Sequence, residues 1–115
     1  MSDLNKVLVT GLLTQDVELR FTPDGTKTAN LRVAIHRRYK TKAGEIKTET
    51  EFVTAVVWKI LAETCAKYLK KGSKVLVEGR LKTREYVDKD QQKRSMTEII
   101  AEDVQFLDTV EKKEV

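Results

Sequence analysis

Arg80, Lys82, Arg84 and Tyr86 occupy alternate positions of one stretch. Successive side chains of a strand point to opposite faces. An extended backbone therefore puts these four on one face and Val77, Gly79, Leu81 and Thr83 on the other. A row of cations attracts an anion, and a ring at its end offers a flat stacking surface. An ordinary solvated face is the plain alternative, but only Glu78 adds an acid to this one. A second cluster is His36-Arg37-Arg38-Tyr39-Lys40-Thr41-Lys42, which sets four cations around one tyrosine. Lys47 follows, and Glu45 is the one acid between them. Cations interleaved with aromatics suit an unpaired nucleic acid strand. Its bases expose faces that stack on rings, and its phosphates meet Lys and Arg in a salt-sensitive contact. Stacking of this kind does not read sequence.

The run Thr50 to Trp58 is the most strand-like in the chain, rich in β-branched and aromatic residues without Gly or Pro. Phe52, Thr54, Val56 and Trp58 share one face; Val53, Ala55 and Val57 share the other and suit a core. The two rings of the first set read equally as core or as exposed platforms, and the run alone does not choose.

Other chemistries find little footing. His36, the one histidine, sits among cations with no nucleophile or carboxylate pattern. Cys65, the one cysteine, excludes a disulfide framework and a cysteine metal cluster. There is no glycine-rich phosphate loop and no paired acid and base. No enzyme activity, metal or cofactor is expected. The 115 residues suit a single domain, 40% of them hydrophobic, and a net charge of +4 makes an anionic partner plausible. The start of the chain resembles neither a signal peptide nor a transit peptide, and no apolar run could span a bilayer. A soluble protein of the cytoplasm, associated with the nucleoid, is expected.

These residues need elements to place them. Asn5 to Leu13 reads as a strand with Gly11 marking a bend, and Asp16 to Phe21 continues extended. Thr22-Pro23-Asp24-Gly25 is a turn. Lys27 to Tyr39 is the second strand, with Leu31, Val33 and Ile35 on one face and Arg32, Ala34 and His36 on the other. Ala43-Gly44 is the tip of a hairpin, and Glu49 to Trp58 returns. Ile60 to Leu69 changes period: Leu61, Cys65, Tyr68 and Leu69 form one helical face, and Gly72 caps its end. Val75 to Tyr86 and Ser95 to Leu107 are the last strands. The expected class is all-β: a five-stranded OB-fold barrel with one short helix between the third and fourth strands. Residues 1–107 form the domain, and 108–115 a short disordered tail.

In order along the chain come Asn5-Lys6-Val7, Gly11, Gln15-Asp16, Glu18-Leu19-Arg20-Phe21, Pro23-Asp24-Gly25, Ala29-Asn30, Gly44-Glu45, Thr50-Glu51-Phe52 and Leu61-Ala62-Glu63. Tyr68-Leu69-Lys70-Lys71-Gly72-Ser73, Val77-Glu78-Gly79 and Thr83-Arg84 complete the series. From Leu4 to Leu107 this pattern resembles the bacterial-type single-stranded DNA-binding proteins. The resemblance implies an OB fold, usually in homotetramers, that holds single-stranded DNA without sequence preference in replication, recombination and repair. It implies stacking at Tyr39, Phe52, Trp58 and Tyr86, which makes Phe52 and Trp58 platforms. It implies phosphate contacts at Arg20, Lys40, Lys42, Lys47, Lys70, Lys71, Lys82 and Arg84, to which the basic hairpin adds Arg37 and Arg38. Lys6 and its neighbours are implied at a subunit interface, and a dimer is the alternative assembly. The family's acidic, Phe-ended tail is missing from the sequence, which counts against recruitment of replication and repair enzymes. A replication-restart accessory of the same fold and a protein-interaction module are the competing readings.

Overall fold

The computed structural model describes residues 2–107. Six strands and one helix follow in the order β1 (Val7–Leu13), β2 (Arg20–Phe21), β3 (Lys27–Lys40), β4 (Ile46–Trp58), α1 (Lys59–Tyr68), β5 (Lys74–Val87) and β6 (Lys93–Phe106). The strand β2 is two residues long and only flanks β3, pairing Arg20 with Thr28 and Phe21 with Lys27. The other five close a barrel, as expected. β4 pairs antiparallel with β3 and parallel with β6, β6 with β5, and β5 with β1. Closure comes where Leu12 and Leu13 of β1 meet Ala34 and Val33 of β3. At this crossing a methyl group on Gly11 would overlap the Ala34 carbonyl and the Val33 side chain. The strands approach that closely only because residue 11 has no side chain.

Alternation fixes the core. Leu31 and Val33 of β3, Ala55 and Val57 of β4, and Val75 and Val77 of β5 are all fully buried. Ile99, Ala101 and Val104 of β6 and Leu13 of β1 join them. The odd-numbered residues of β3 and β4 therefore face in, and the even-numbered ones face out. α1 plugs one end of the barrel with Ala62, Cys65 and, just beyond its last turn, Leu69.

Two local expectations are corrected. Tyr68, placed on one helical face with Cys65 and Leu69, does not share their burial and is 62% exposed. It is the last residue of α1, and its ring packs at the surface against Phe106, with centroids 6.4 Å apart. Gly72 does not cap the helix. The cap is Leu69, whose N–H donates to the Cys65 carbonyl, while Gly72, at φ +92°, turns the chain so that its N–H reaches Leu13. Leu81, two residues past the last β1 partner, Gly79, is half exposed, and its backbone N–H and C=O are held by the Asn5 side chain. The expected tail at 108–115 lies outside the described residues.

Lys59 begins α1 with φ +58°, a left-handed conformation that costs a residue with a Cβ on the order of 1–2 kcal/mol. Lys59→Gly is expected to stabilise the fold by about 1 kcal/mol, since glycine accepts this angle without clash. A higher urea midpoint with an unchanged m-value is the result to look for.

Cys65 is sealed in the core, and burial pushes its thiol pKa from 9.0 up to about 11. The thiolate is the reactive form. Iodoacetamide at mildly alkaline pH is expected to leave the folded protein unmodified and to alkylate it fully in denaturant, as read by mass. Because the folded value is raised, this stabilisation is complete below pH 9.0 and is lost as pH rises towards 11.

Candidate nucleic-acid interface

The outward residues of four adjacent strands build one groove. Thr28 and Asn30 come from β3, Val56 and Trp58 from β4, Glu98 and Ile100 from β6, and Lys82 and Arg84 from β5. The register explains their meeting. Asn30 lies opposite Val56, Val56 beside Ile100, and Lys82 opposite Glu98. Arg20, Thr28 and Trp58 form a single cross-strand row, in which Arg20 sits one strand beyond Thr28, in a neighbouring depression with Gln15, Asp16, Glu18 and Asn30. Glu18 accepts a hydrogen bond from Arg20 Nε at 3.2 Å.

The two rings of β4 are out of the core. Phe52 is 53% exposed and Trp58 39%, while Thr54 and Val56 between them are nearly buried. The guanidinium of Arg32 lies 5.1 Å from the centre of the Phe52 ring. Tyr86 has the same kind of neighbour in Arg84, at 5.6 Å, and Tyr39 in Arg37, at 5.2 Å. Three of the four expected stacking rings thus carry an arginine against the aromatic face, an arrangement favoured by the ring quadrupole.

The remaining expected residues are dispersed over the β3–β4 ribbon, its hairpin turn and the turn after α1. Arg38, Tyr39 and Lys40 sit with Ile46 around a shallow depression on the β3–β4 ribbon. Tyr39 lies directly opposite Lys47, and Arg37 opposite Glu49, to which it donates from Nη1 at 2.6 Å. These odd-numbered positions take the face of the ribbon opposite to that of Phe52. Lys42 is in the hairpin turn, which closes through Thr41 N–H to the Glu45 carbonyl. Lys70 and Lys71 do not line the groove. They belong to the turn between α1 and β5, where the Lys71 N–H donates to Asp16 Oδ1 at 2.8 Å. The turn beyond Tyr86 is held by Asp88, whose carboxylate accepts from the Asp90 and Gln92 N–H groups and from Arg94 Nε. The Arg94 guanidinium, first among these, holds the Asp88 carboxyl below the usual range.

Two charged groups of this face were missed in the sequence. Arg32 has the outward parity read there, but nothing linked it to Phe52 twenty residues away. Glu98 is the more unexpected. It is only 6% exposed, lies in the groove, and holds Arg84 with both oxygens: Nε at 3.0 Å and Nη2 at 3.5 Å. Parity along β5 alone could not reveal an acid supplied by the neighbouring strand.

A closed five-stranded barrel with one helix before β5, and a groove of rings and cations on its face, defines an OB-fold domain of the kind that seats oligomeric ligands. The Single-strand binding protein family matches residues 4–107, and the chain belongs to this family. It is 45% identical over 105 residues to a single-stranded DNA-binding protein of Halalkalibacterium halodurans, covering 91% of this chain and 61% of that one. It is 44% identical to single-stranded DNA-binding protein A of Bacillus subtilis, covering 91% of this chain and 60% of the relative. The chain thus spans about three-fifths of the length of these curated relatives. A Plasmodium falciparum protein of the same family, solved in complex with single-stranded DNA, superposes with a TM-score of 0.82 at 29% identity, covering 94% of this chain and 98% of that one.

Proposed function

We propose that this chain is a non-enzymatic, sequence-independent binder of single-stranded DNA that protects unpaired strands in replication, recombination and repair. The observation that carries this is the groove itself: an exposed indole beside Lys82 and Arg84 on the open face of a closed barrel. Bases stack on Trp58, Phe52, Tyr86 and Tyr39, and phosphates follow Arg38, Lys40, Lys42, Lys47 and Lys82. Arg20 and Arg37 can contribute once DNA draws them from Glu18 and Glu49. Lys70 and Lys71 serve a strand that leaves the groove around the α1 end. The names of the relatives and the ligand of the structural neighbour support the same ligand class.

Assembly into a homotetramer, with a dimer as its unit, belongs to the same proposal. β1 presents Leu8, 63% exposed, and Leu12 on its outer face, beside Lys6, which pairs with Glu78. Sedimentation of the free protein gives the subunit count. The cytoplasm is the proposed compartment. Among the described residues no helix is long and apolar enough to cross a membrane.

Trp58 is its own probe. A thymine homopolymer is expected to quench its fluorescence, and a duplex is not. Trp58→Ala, followed by the anisotropy of a labelled strand, is expected to lose about 1–3 kcal/mol of binding with cooperative unfolding retained. A variant that no longer folds would place the ring in the core and remove it as a platform.

A further inference from the structure

Arg84 stands in a row of cations, yet its charge is already matched. Glu98 is buried in the groove, where an ionised carboxylate needs a partner. Lys82 lies directly opposite it in the β5–β6 register but forms no ion pair with it. Arg84 takes that place, offering its Nε and Nη2 edge to the two carboxylate oxygens, and Nη2 also meets the Met96 sulfur at 3.8 Å. A fork engaged along one edge is fixed in plane as well as in position. The central carbon of that guanidinium, Cζ, lies over the Tyr86 ring, 5.6 Å from its centre.

We propose that Glu98 is a positioning residue that turns Arg84 from a phosphate ligand into a flat stacking platform continuous with Tyr86. The neutral pair adds no net charge to the groove, so Arg84 brings to a bound strand its planar surface. Guanidinium planes stack on unpaired bases as rings do. Lys82, which has no acid partner among the described residues, is the phosphate ligand of the same row. This assignment rests on the single-stranded DNA reading, and it concerns how two residues of that site divide the labour.

The test is the affinity for a thymine homopolymer as a function of salt, for the wild type and three variants. Each phosphate contact to a single strand contributes about 0.7 to the slope of log affinity against log salt. Lys82→Ala is expected to flatten the slope by about 0.7. Arg84→Lys keeps the charge and loses the plane. It is expected to bind about 5-fold or more weakly at every salt concentration, with the wild-type slope. Glu98→Gln keeps a hydrogen-bond partner and frees the charge, and is expected to steepen the slope by about 0.7. The proposal is overturned if Arg84→Lys binds within about twofold of the wild type, or if Glu98→Gln leaves the slope unchanged. Arg84 is exposed enough for the lysine variant to fold, so that arm decides even if Glu98→Gln does not. A wild type that ignores the homopolymer overturns the binding reading itself, and this assignment with it.

Discussion

Raising the salt from about 50 to about 200 mM is expected to weaken binding to a thymine homopolymer about 100-fold. The size of the effect depends on how many cations are available to phosphates. Arg20, Arg37 and Arg84 already face carboxylates in the free protein. Arg38, Lys40, Lys42, Lys47 and Lys82 take part in none of the ion pairs among the described residues, and neither do Lys70 and Lys71, which lie off the groove and meet only a longer strand. Five phosphate contacts at about 0.7 each give a slope near −3.5, and a fourfold rise in salt then costs about two decades. Anisotropy titrations at four salt concentrations measure it. A slope shallower than about −2 would mean that the β3–β4 ribbon, which carries four of the five, does not track the backbone.

Gly79→Ala is expected to destabilise the fold by about 3 kcal/mol, the upper end of the cost of overpacking. A methyl group there would overlap the Ile100 carbonyl, whose carbon would lie at 2.9 Å, with the Ala101 Cα at 3.0 Å. These are backbone atoms of the paired strand and cannot rotate away. Gly79 also marks the point where the β5–β6 register shifts, between Glu78 and Gly79. Irregularities of this kind sharpen the local twist and re-aim the strand beyond them. The row Arg80, Lys82, Arg84 and Tyr86 begins at the next residue, so the variant is expected to lose DNA affinity along with stability. A thermal midpoint equal to the wild type would show that β6 yields instead.

Much of this was legible in the sequence, for reasons that particular residues make plain. Period-two alternation is a local property, so Val53, Ala55 and Val57 were readable as core and Phe52 and Trp58 as their opposite face. What covers that opposite face is not local. Whether two rings meet solvent or another layer depends on packing, and the residues left the matter open until a family pattern was added. The same limit hid Glu98. Its partner Arg84 lies fourteen residues earlier, across a hairpin whose exact register the polar stretch between them does not fix. Tyr68 failed differently. The helical period placed it with Cys65 and Leu69, but a position in the last turn sits at the rim of the barrel, where the core has ended. β2 is the remaining case: Arg20-Phe21 is too short a pairing to leave a pattern.

The two ribbons that run beyond the barrel have a further consequence. Outside the core their backbones are held by one partner strand each, with exposed Ile46 and Val87 near their tips and, among the described residues, no layer packed over them. Two-stranded ribbons without a covered face are marginal by themselves. Amide hydrogens of Arg37–Glu49 and Thr83–Thr97 are therefore expected to exchange through local opening, orders of magnitude faster than those of Leu31, Val57 or Val77, which wait for global unfolding. On that expectation the soft part of the molecule is the part that carries Tyr39 and Tyr86, beyond the Arg84 side chain that Glu98 holds. A strand of DNA would meet arms that close on it and lose their own motion, so part of its binding energy would be spent on ordering the protein.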